Sequence, residues 1–475
     1  MTPTQQFIAQ MRSEEAGAAG HKTCRHDRQA YGLRTRSGLR TIVVASILAA
    51  ACGLLAPAGA RAWSPATAIY GGAQPAPLAI AGDPVGNGVA VVSGATADSP
   101  LLLLQKDAVA HIPDGVAFAW NAPSPFPGGV DSFTTSTVLA QGAGAAAGGD
   151  GAAALVVRYR VDGTDRFAAL VRDAIDVFPA TPSTIVPANF DRLSDPAVAI
   201  SPAGTTVIGF DATRAAGRRI GYAARMSGNE FGTPRVISLT GAGPVTTAVG
   251  PHEEGLVAWT RAGRAEISVL DDRGRAGAYR VIGPAAGNGE VAAAGGKPGA
   301  LVAWEGTRGA VRVIRRGTSS TLRFGRTVTA RRASGADLSG MTAALDPNGI
   351  AYIAWREGSG SKTRILVARA KAGRKFTVDQ VAAGAGLGKP SITPRPIGGT
   401  IVGYAASTGW QARKVPTSGG LPIQSTVSAP GTSTAVPLAR PFLDAGPGSR
   451  ADMAWLQPSD SGPGYDVMQS TEVDP

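Results

Sequence analysis

One aromatic residue recurs at a near-constant interval along most of this chain. LVAW ends at Trp259 and again at Trp304, YIAW ends at Trp355, and DMAW ends at Trp455. IVGY, ending at Tyr404, fills the middle of the last gap. VIGF and LVVRY carry the series upstream to Phe210 and Tyr159. Successive gaps are 51, 49, 45, 51, 49 and 51 residues. A fixed period of that size marks a stacked repeat, in which each unit is too small to bury its own faces and must lend them to its neighbours. An ordinary sandwich of evenly spaced strands does not predict one aromatic at a constant phase.

Each unit reads as four short strands. In residues 341–383, MTAAL is a short apolar strand and Asp346-Pro347-Asn348-Gly349 is a turn, with Pro presetting φ and Asn-Gly accepting φ > 0. IAYIAW is a near-continuous apolar run, as expected of a strand covered on both faces. TRILVARA mixes charged and apolar residues, and FTVDQVA alternates. The same anatomy returns in residues 197–239, 246–283 and 291–330. With Gly at 64 and Pro at 34 residues, turn formers are abundant enough to punctuate so many strands. The expected fold is therefore all-β, a β-propeller of four-stranded blades. Residues 76–120 read as a first blade, with Trp120 ending its fourth strand. The final unit (PLARPFL, RADMAW, YDVMQST) lacks a fourth strand. WSPATAIY, residues 63–70, is unclaimed at the other end and is expected to supply it, closing the ring. This count favours eight blades, with seven as the alternative.

The run from Asp346 through Trp355 resembles the repeats of secreted bacterial β-propellers related to sialidase-like and NHL-type propellers. The likeness spans roughly residues 63–475 and implies blade geometry alone. The sialidase Asp box, a W-D dipeptide, a Kelch pattern and a Y-W-T-D motif are all missing from the sequence, so the resemblance brings no activity with it.

The first 62 residues read as an address. Arg34, Arg36 and Arg40 precede the apolar run TIVVASILAAACGLLAP (41–57), and Ala60-Arg61-Ala62 has the small residues a signal peptidase reads. Residues 1–62 are thus expected to be a signal peptide with a long polar leading region, cleaved after Ala62, and 63–475 the propeller. A lipoprotein acylated at Cys52 and an N-terminal membrane anchor are the alternatives; the run is short of the roughly 20 residues of a bilayer span. Both cysteines, Cys24 and Cys52, precede Ala62, so the chain beyond it has neither thiol nucleophile nor disulfide.

Catalytic signatures are sparse. His111 and His252 are isolated, and His252-Glu253-Glu254 reads as an exposed turn. Asp271-Asp272-Arg273-Gly274 is the nearest approach to a calcium loop but places Arg inside it, so a solvated hairpin is expected. G-x-S-x-G is lacking; Gly317–Thr321 comes nearest. The glycine cluster at 142–151 lacks the Lys and helix of a phosphate loop and reads as a flexible inter-blade loop. Asp211, Glu305 and Glu357 follow the repeat aromatic in three units. They read as solvated loop residues, with a lining of one rim as the alternative. No metal site, cofactor site or catalytic set is assigned.

Charge is asymmetric. The chain carries 46 Lys+Arg against 34 Asp+Glu. Residues 308–332 hold eight Arg and no acid, and Lys362, Arg364, Arg369, Lys371, Arg374 and Lys375 follow. Such a surface attracts anionic polymers such as an acidic glycan or an envelope polymer, although a solvated blade face accounts for it. Only Phe324 and Phe376 interleave, so a nucleic-acid partner is not expected. The resulting expectation is an exported, monomeric, non-enzymatic binding or scaffold module at the cell envelope or outside the cell, its partner an anionic glycan, an envelope polymer or another protein. The alternatives are a glycan-acting hydrolase or lyase at the mouth of the central channel, and a stalk with no ligand.

Overall fold

In a computed structural model, the described residues run from 63 to 472, apart from 74–77, 83–86, 94–100, 107–123, 127–138, 149–150, 162, 174–177, 188–189, 191, 215–216, 239–242, 317–323, 333, 422–424, 429–440, 446–450 and 460–464. Among them the strands pair into eight antiparallel sheets, seven of four strands and one, containing Phe210, of five. In six of the sheets the strands follow in sequence order, joined as a meander; in the five-stranded sheet Arg192–Leu193 and Ala197–Ile200 both pair with Thr206–Arg214. The sheets are named below by their repeat aromatic.

The innermost strands touch one another in succession. They are Leu78–Gly82, Leu139–Ala147, Ala197–Ile200, Val245–Val249, Val291–Gly296, Leu338–Leu345, Ser391–Pro394 and Phe442–Ala445. The last of these packs back against the first. The protein is a β-propeller of four-stranded blades. The Trp455 sheet obtains its fourth strand from the far end of the chain: Thr67–Ala73 lies antiparallel to Tyr465–Thr471, and Trp63 bridges to Glu472. These hydrogen bonds tie the two ends of the ring together.

The loop expected at residues 142–151 is overturned. The glycine- and alanine-rich stretch read as a flexible loop contains an inner strand, Leu139–Ala147, paired along its length with Ala153–Val161. Inner strands crowd the axis, where large side chains would collide. At Gly295 a Cβ would overlap the Val249 carbonyl of the neighbouring inner strand, so small residues here are a packing requirement and not a loop signal. Trp120 and its proposed fourth strand lie outside the described residues.

The repeat aromatic sits near the end of the second strand and is buried between sheets. Trp259, Trp304, Trp355 and Trp455 are all almost wholly shielded from solvent. One continuous cluster joins Leu301, Ala303 and Val313 of the Trp304 sheet to Ile353, Trp355 and Leu366 of the next. Burying a large apolar side chain stabilises by about 1.5–3 kcal/mol, so these inter-sheet cores are the main cohesion of the ring. Gly221 faces Phe210 across a strand pair. A Cβ there would overlap the ring, which explains a glycine in mid-strand.

Cations also link adjacent blades. Arg315 lies opposite Leu301, Arg369 opposite Tyr352 and Lys414 opposite Ile401; each of those partners is three residues before a repeat aromatic. Each cation reaches the following blade. Arg315 donates to the carbonyls of Ala370 (2.9 Å) and Gly349. Arg369 donates to those of Pro416 and Gly419. Lys414 pairs with Glu472. The buried carboxylate of Asp346 does the same from its turn. It accepts from the N–H groups of Asn348 and Ile350 (both 2.9 Å) and from Gly399 N–H of the next blade (3.0 Å).

Candidate functional site

A cleft of about 710 Å³ opens on the rim where the inner strands begin. Three inner strands and the segment leading into a fourth form its walls. Its floor is apolar and small: Val245, Val291, Ala292, Met341 and Leu387 contribute. Three charged groups, Glu290, Arg356 and Lys389, border it. Narrow, mainly apolar concavities with a few placed polar groups are the usual form of a ligand site, and the channel mouth is where several blades can each contribute one.

Each charge is positioned by local structure. Glu290 immediately precedes the inner strand Val291–Gly296. Its Oε1 accepts from Gly340 N–H of the next blade at 3.1 Å, which anchors the carboxylate across the gap between blades. Gly340 has φ +63, and a Cβ there would overlap the Lys389 side chain; glycine thus allows the Lys389 stem to lie close while its end stays exposed. Arg356 follows Trp355 on the same strand and is only partly exposed. Its Nε is buried without a hydrogen-bond partner, and no ion pair of Arg356 or Lys389 exists among the described residues.

Glu305 lies behind Glu290. Its Oε2 accepts from Glu290 N–H at 3.3 Å. Burial foremost, then the nearby charges of Glu290 and Asp337, hold its carboxyl above the usual carboxylate range, against the opposing pull of that N–H. Two carboxyls set side by side, one of them raised by burial, are a pairing that general acid–base chemistry can use.

The acids expected to be solvated loop residues are instead in strands. Asp211 lies within Thr206–Arg214 and is buried against Arg218. Glu305 lies in Gly299–Gly306 and is half-buried. Glu357 ends Ala351–Glu357, is fully buried and receives Arg364 at 2.7 Å, Arg331 at 3.4 Å and the Trp355 indole N–H at 3.4 Å. An arginine on an adjacent strand makes such burial tolerable. Of the three, only Glu305 adjoins the cleft.

The other sequence candidates scatter. His252 is exposed in a turn as expected, but Glu254 two residues on is buried and accepts from His252 N–H at 2.7 Å, and Glu253, with φ +61, accepts a hydrogen bond from the Ser201 hydroxyl. Asp271–Gly274 is a hairpin turn. Asp271 accepts from the N–H groups of Arg273 and Arg275, chiefly the latter, which with the Arg275 side chain holds its carboxyl below the ordinary range. His111 and Gly317–Thr321 lie outside the described residues. Among the described residues no group of three His, Cys, Asp or Glu could hold a metal ion, and no helix is long and apolar enough to cross a membrane.

The basic stretch divides in two. Arg315, Arg331, Arg364 and Arg369 are spent on carbonyls and carboxylates within the ring. Sequence reasoning missed Glu290, Arg356 and Lys389 because they share no motif; they meet only through the stacking of blades. A polar residue flanking the repeat aromatic or the first residue of each unit is the one signal that could have flagged them.

No family signature matches this sequence, and comparison with curated proteins finds no relative. Solved structures of low identity do match. A protein of unknown function from Dyadobacter fermentans is 12% identical over 72% of this chain and 96% of that one, with a TM-score of 0.41. The six-bladed propeller lectin of Aleuria aurantia, described as recognising fucose, is 14% identical over 61% of this chain and 96% of that one, with a TM-score of 0.35. The polysaccharide lyase Uly1 is 7% identical over 81% and 88%, with a TM-score of 0.46.

Proposed function

We propose that this protein is a binding module whose ligand enters the rim cleft between Glu290, Arg356 and Lys389. The observation that carries this reading is the unspent charge there. Two cations without an ion-pair partner among the described residues border an apolar, ready-formed concavity, whereas Arg315, Arg331, Arg364 and Arg369 are consumed by structural contacts. An acid-bearing, hydroxyl-rich ligand fits: its acid group meets Arg356 and Lys389, and Glu290 accepts from a hydroxyl. An acidic glycan has this chemistry. The reading also takes each sheet as one blade, eight in all, and takes the protein as exported, with residues 1–62 removed as a signal peptide and the ring acting at the envelope or beyond it, in keeping with the resemblance to secreted bacterial propellers.

A glycan array followed by calorimetry tests this. A hit that Arg356→Ala weakens at least tenfold, with the melting temperature unchanged, supports it. Binding indifferent to Arg356→Ala and Lys389→Ala overturns it. A second reading, a glycan-cleaving enzyme, draws on the Glu305–Glu290 pair alone. Release of reducing ends from an acidic polysaccharide, abolished by Glu305→Gln, would establish it in place of simple binding.

A further inference from the structure

A second cleft, of about 580 Å³, lies farther out on the Trp304 blade and is bordered by Thr307, Arg308, Ala310, Arg312, Thr329 and Arg332. Three of its six residues are arginines and none is an acid. Arg312 donates to Thr329 Oγ1 at 2.6 Å, which aims its guanidinium along the cleft wall. The side chains of Arg308 and Arg332 are exposed and make no hydrogen bond or ion pair among the described residues. They differ in this from Arg315, Arg331, Arg364 and Arg369 in the same basic stretch.

Arg308 is also held in an unfavourable backbone. It occupies the turn between strands Gly299–Gly306 and Ala310–Arg316 with φ 61 and ψ 33, followed by Gly309 at φ 71. Two successive positive φ angles make this a type I′ turn, in which Asn-Gly is the preferred pair. A long cationic side chain at the first position is the poorer choice for stability. The turn sits at the same end of the sheet as the start of the inner strand Val291–Gly296, since Val291 pairs with Trp304. The arginine cleft and the channel-mouth cleft therefore open on one rim.

We infer that this arginine cleft is a subsite for the anionic groups of a sulfated or carboxylated polysaccharide. Guanidinium forks match planar or tetrahedral oxyanions through paired N–H donors, and three of them converge with two threonine hydroxyls. The lining has no aromatic to stack a base and, apart from Ala310, no apolar side chain to enter a lipid layer, which favours a carbohydrate over nucleic acid or membrane. The inference stands on the arginine geometry and does not require the channel-mouth site.

Dextran sulfate and polygalacturonate are the probes, with neutral dextran as blank, at physiological salt. Arg308→Asn keeps the turn and removes the charge; Arg312→Gln and Arg332→Gln complete a triple variant. Each single change is expected to weaken at least one anionic polymer by about tenfold, the scale of one lost charge-assisted contact. A triple control on the opposite rim, Lys371→Gln, Arg374→Gln and Lys375→Gln, removes equal charge and is expected to leave affinity within about twofold. Equal weakening by the control would reduce the effect to net charge and overturn the inference. So would failure of both polymers to bind, or capture by phosphatidylglycerol vesicles that depends on Arg308.

Discussion

Arg315 of one blade donates to the carbonyl of Ala370 in the next at 2.9 Å, and the same guanidinium reaches Gly349. Burial lowers its pKa, against the support of Asp346. A position that in sequence belongs to a basic surface stretch is therefore an inter-blade clamp. Arg315→Met leaves two carbonyls without their donor and relieves the burial of one charge. The net expectation is a loss of about 2 kcal/mol, read as a lower urea midpoint. Arg315→Lys should recover part of it, because an ammonium lacks the planar fork. An unchanged midpoint for Arg315→Met would show that the clamp contributes nothing.

Trp259 donates its indole N–H to Glu266 at 2.8 Å, and Arg261 donates to the same carboxylate at 3.1 Å. Glu266 is fully buried. Trp259→Phe keeps most apolar area but removes one donor and opens a small cavity, with an expected cost of about 1–3 kcal/mol. A double-mutant cycle with Glu266→Gln should give a coupling energy well away from zero. Additive losses would mean that the pair is a neighbour relation without energetic content.

Glu305 is predicted to make stability fall with rising pH. Its folded-state carboxyl lies above the ordinary value of 4.5, so the unfolded chain releases this proton first. The contribution is fully present below the ordinary value and is lost as pH rises through the folded one. Glu305→Gln keeps an acceptor for Glu290 N–H without the charge. Its melting temperature should exceed that of the parent at pH 7 and converge with it near pH 4. A constant difference at both pH values would remove Glu305 as the cause.

Ala262 has φ 44 and precedes Gly263 at φ 79, between strands Gly255–Arg261 and Arg264–Val269. This turn corresponds to that of Arg308, without its charge or its cleft. Ala262→Asn should stabilise by about 0.5–1 kcal/mol, since Asn tolerates the left-handed region better than Ala. Thermal melting reads the gain directly; a fall in melting temperature would contradict the turn assignment.

Much of the architecture is legible in one dimension. The aromatic at constant phase, the Asp-Pro-Asn-Gly turn before Ala351–Glu357 and the orphan strand near residue 67 each report a local rule: strand periodicity, turn chemistry, an unfilled sheet edge. The misreadings share one cause. The 142–147 stretch looked like a loop because small residues favour loops when nothing surrounds them, whereas around a crowded axis they are what a strand requires. Asp211 and Glu357 looked solvated because their cancelling charges, Arg218 and Arg364, lie seven residues away and come into register only by strand pairing.

What the sequence alone determined is the unit: four short strands, an aromatic at one place, a turn at another. Those features depend on neighbours within a few residues and on the inability of one unit to bury its own faces. Which arginines are structural and which remain available, and that Glu290, Arg356 and Lys389 share one cleft, was decided only when the sheets stacked about their axis. Contacts between blades join residues tens of positions apart, and their energies depend on burial and on distance in space, neither of which is written in local order.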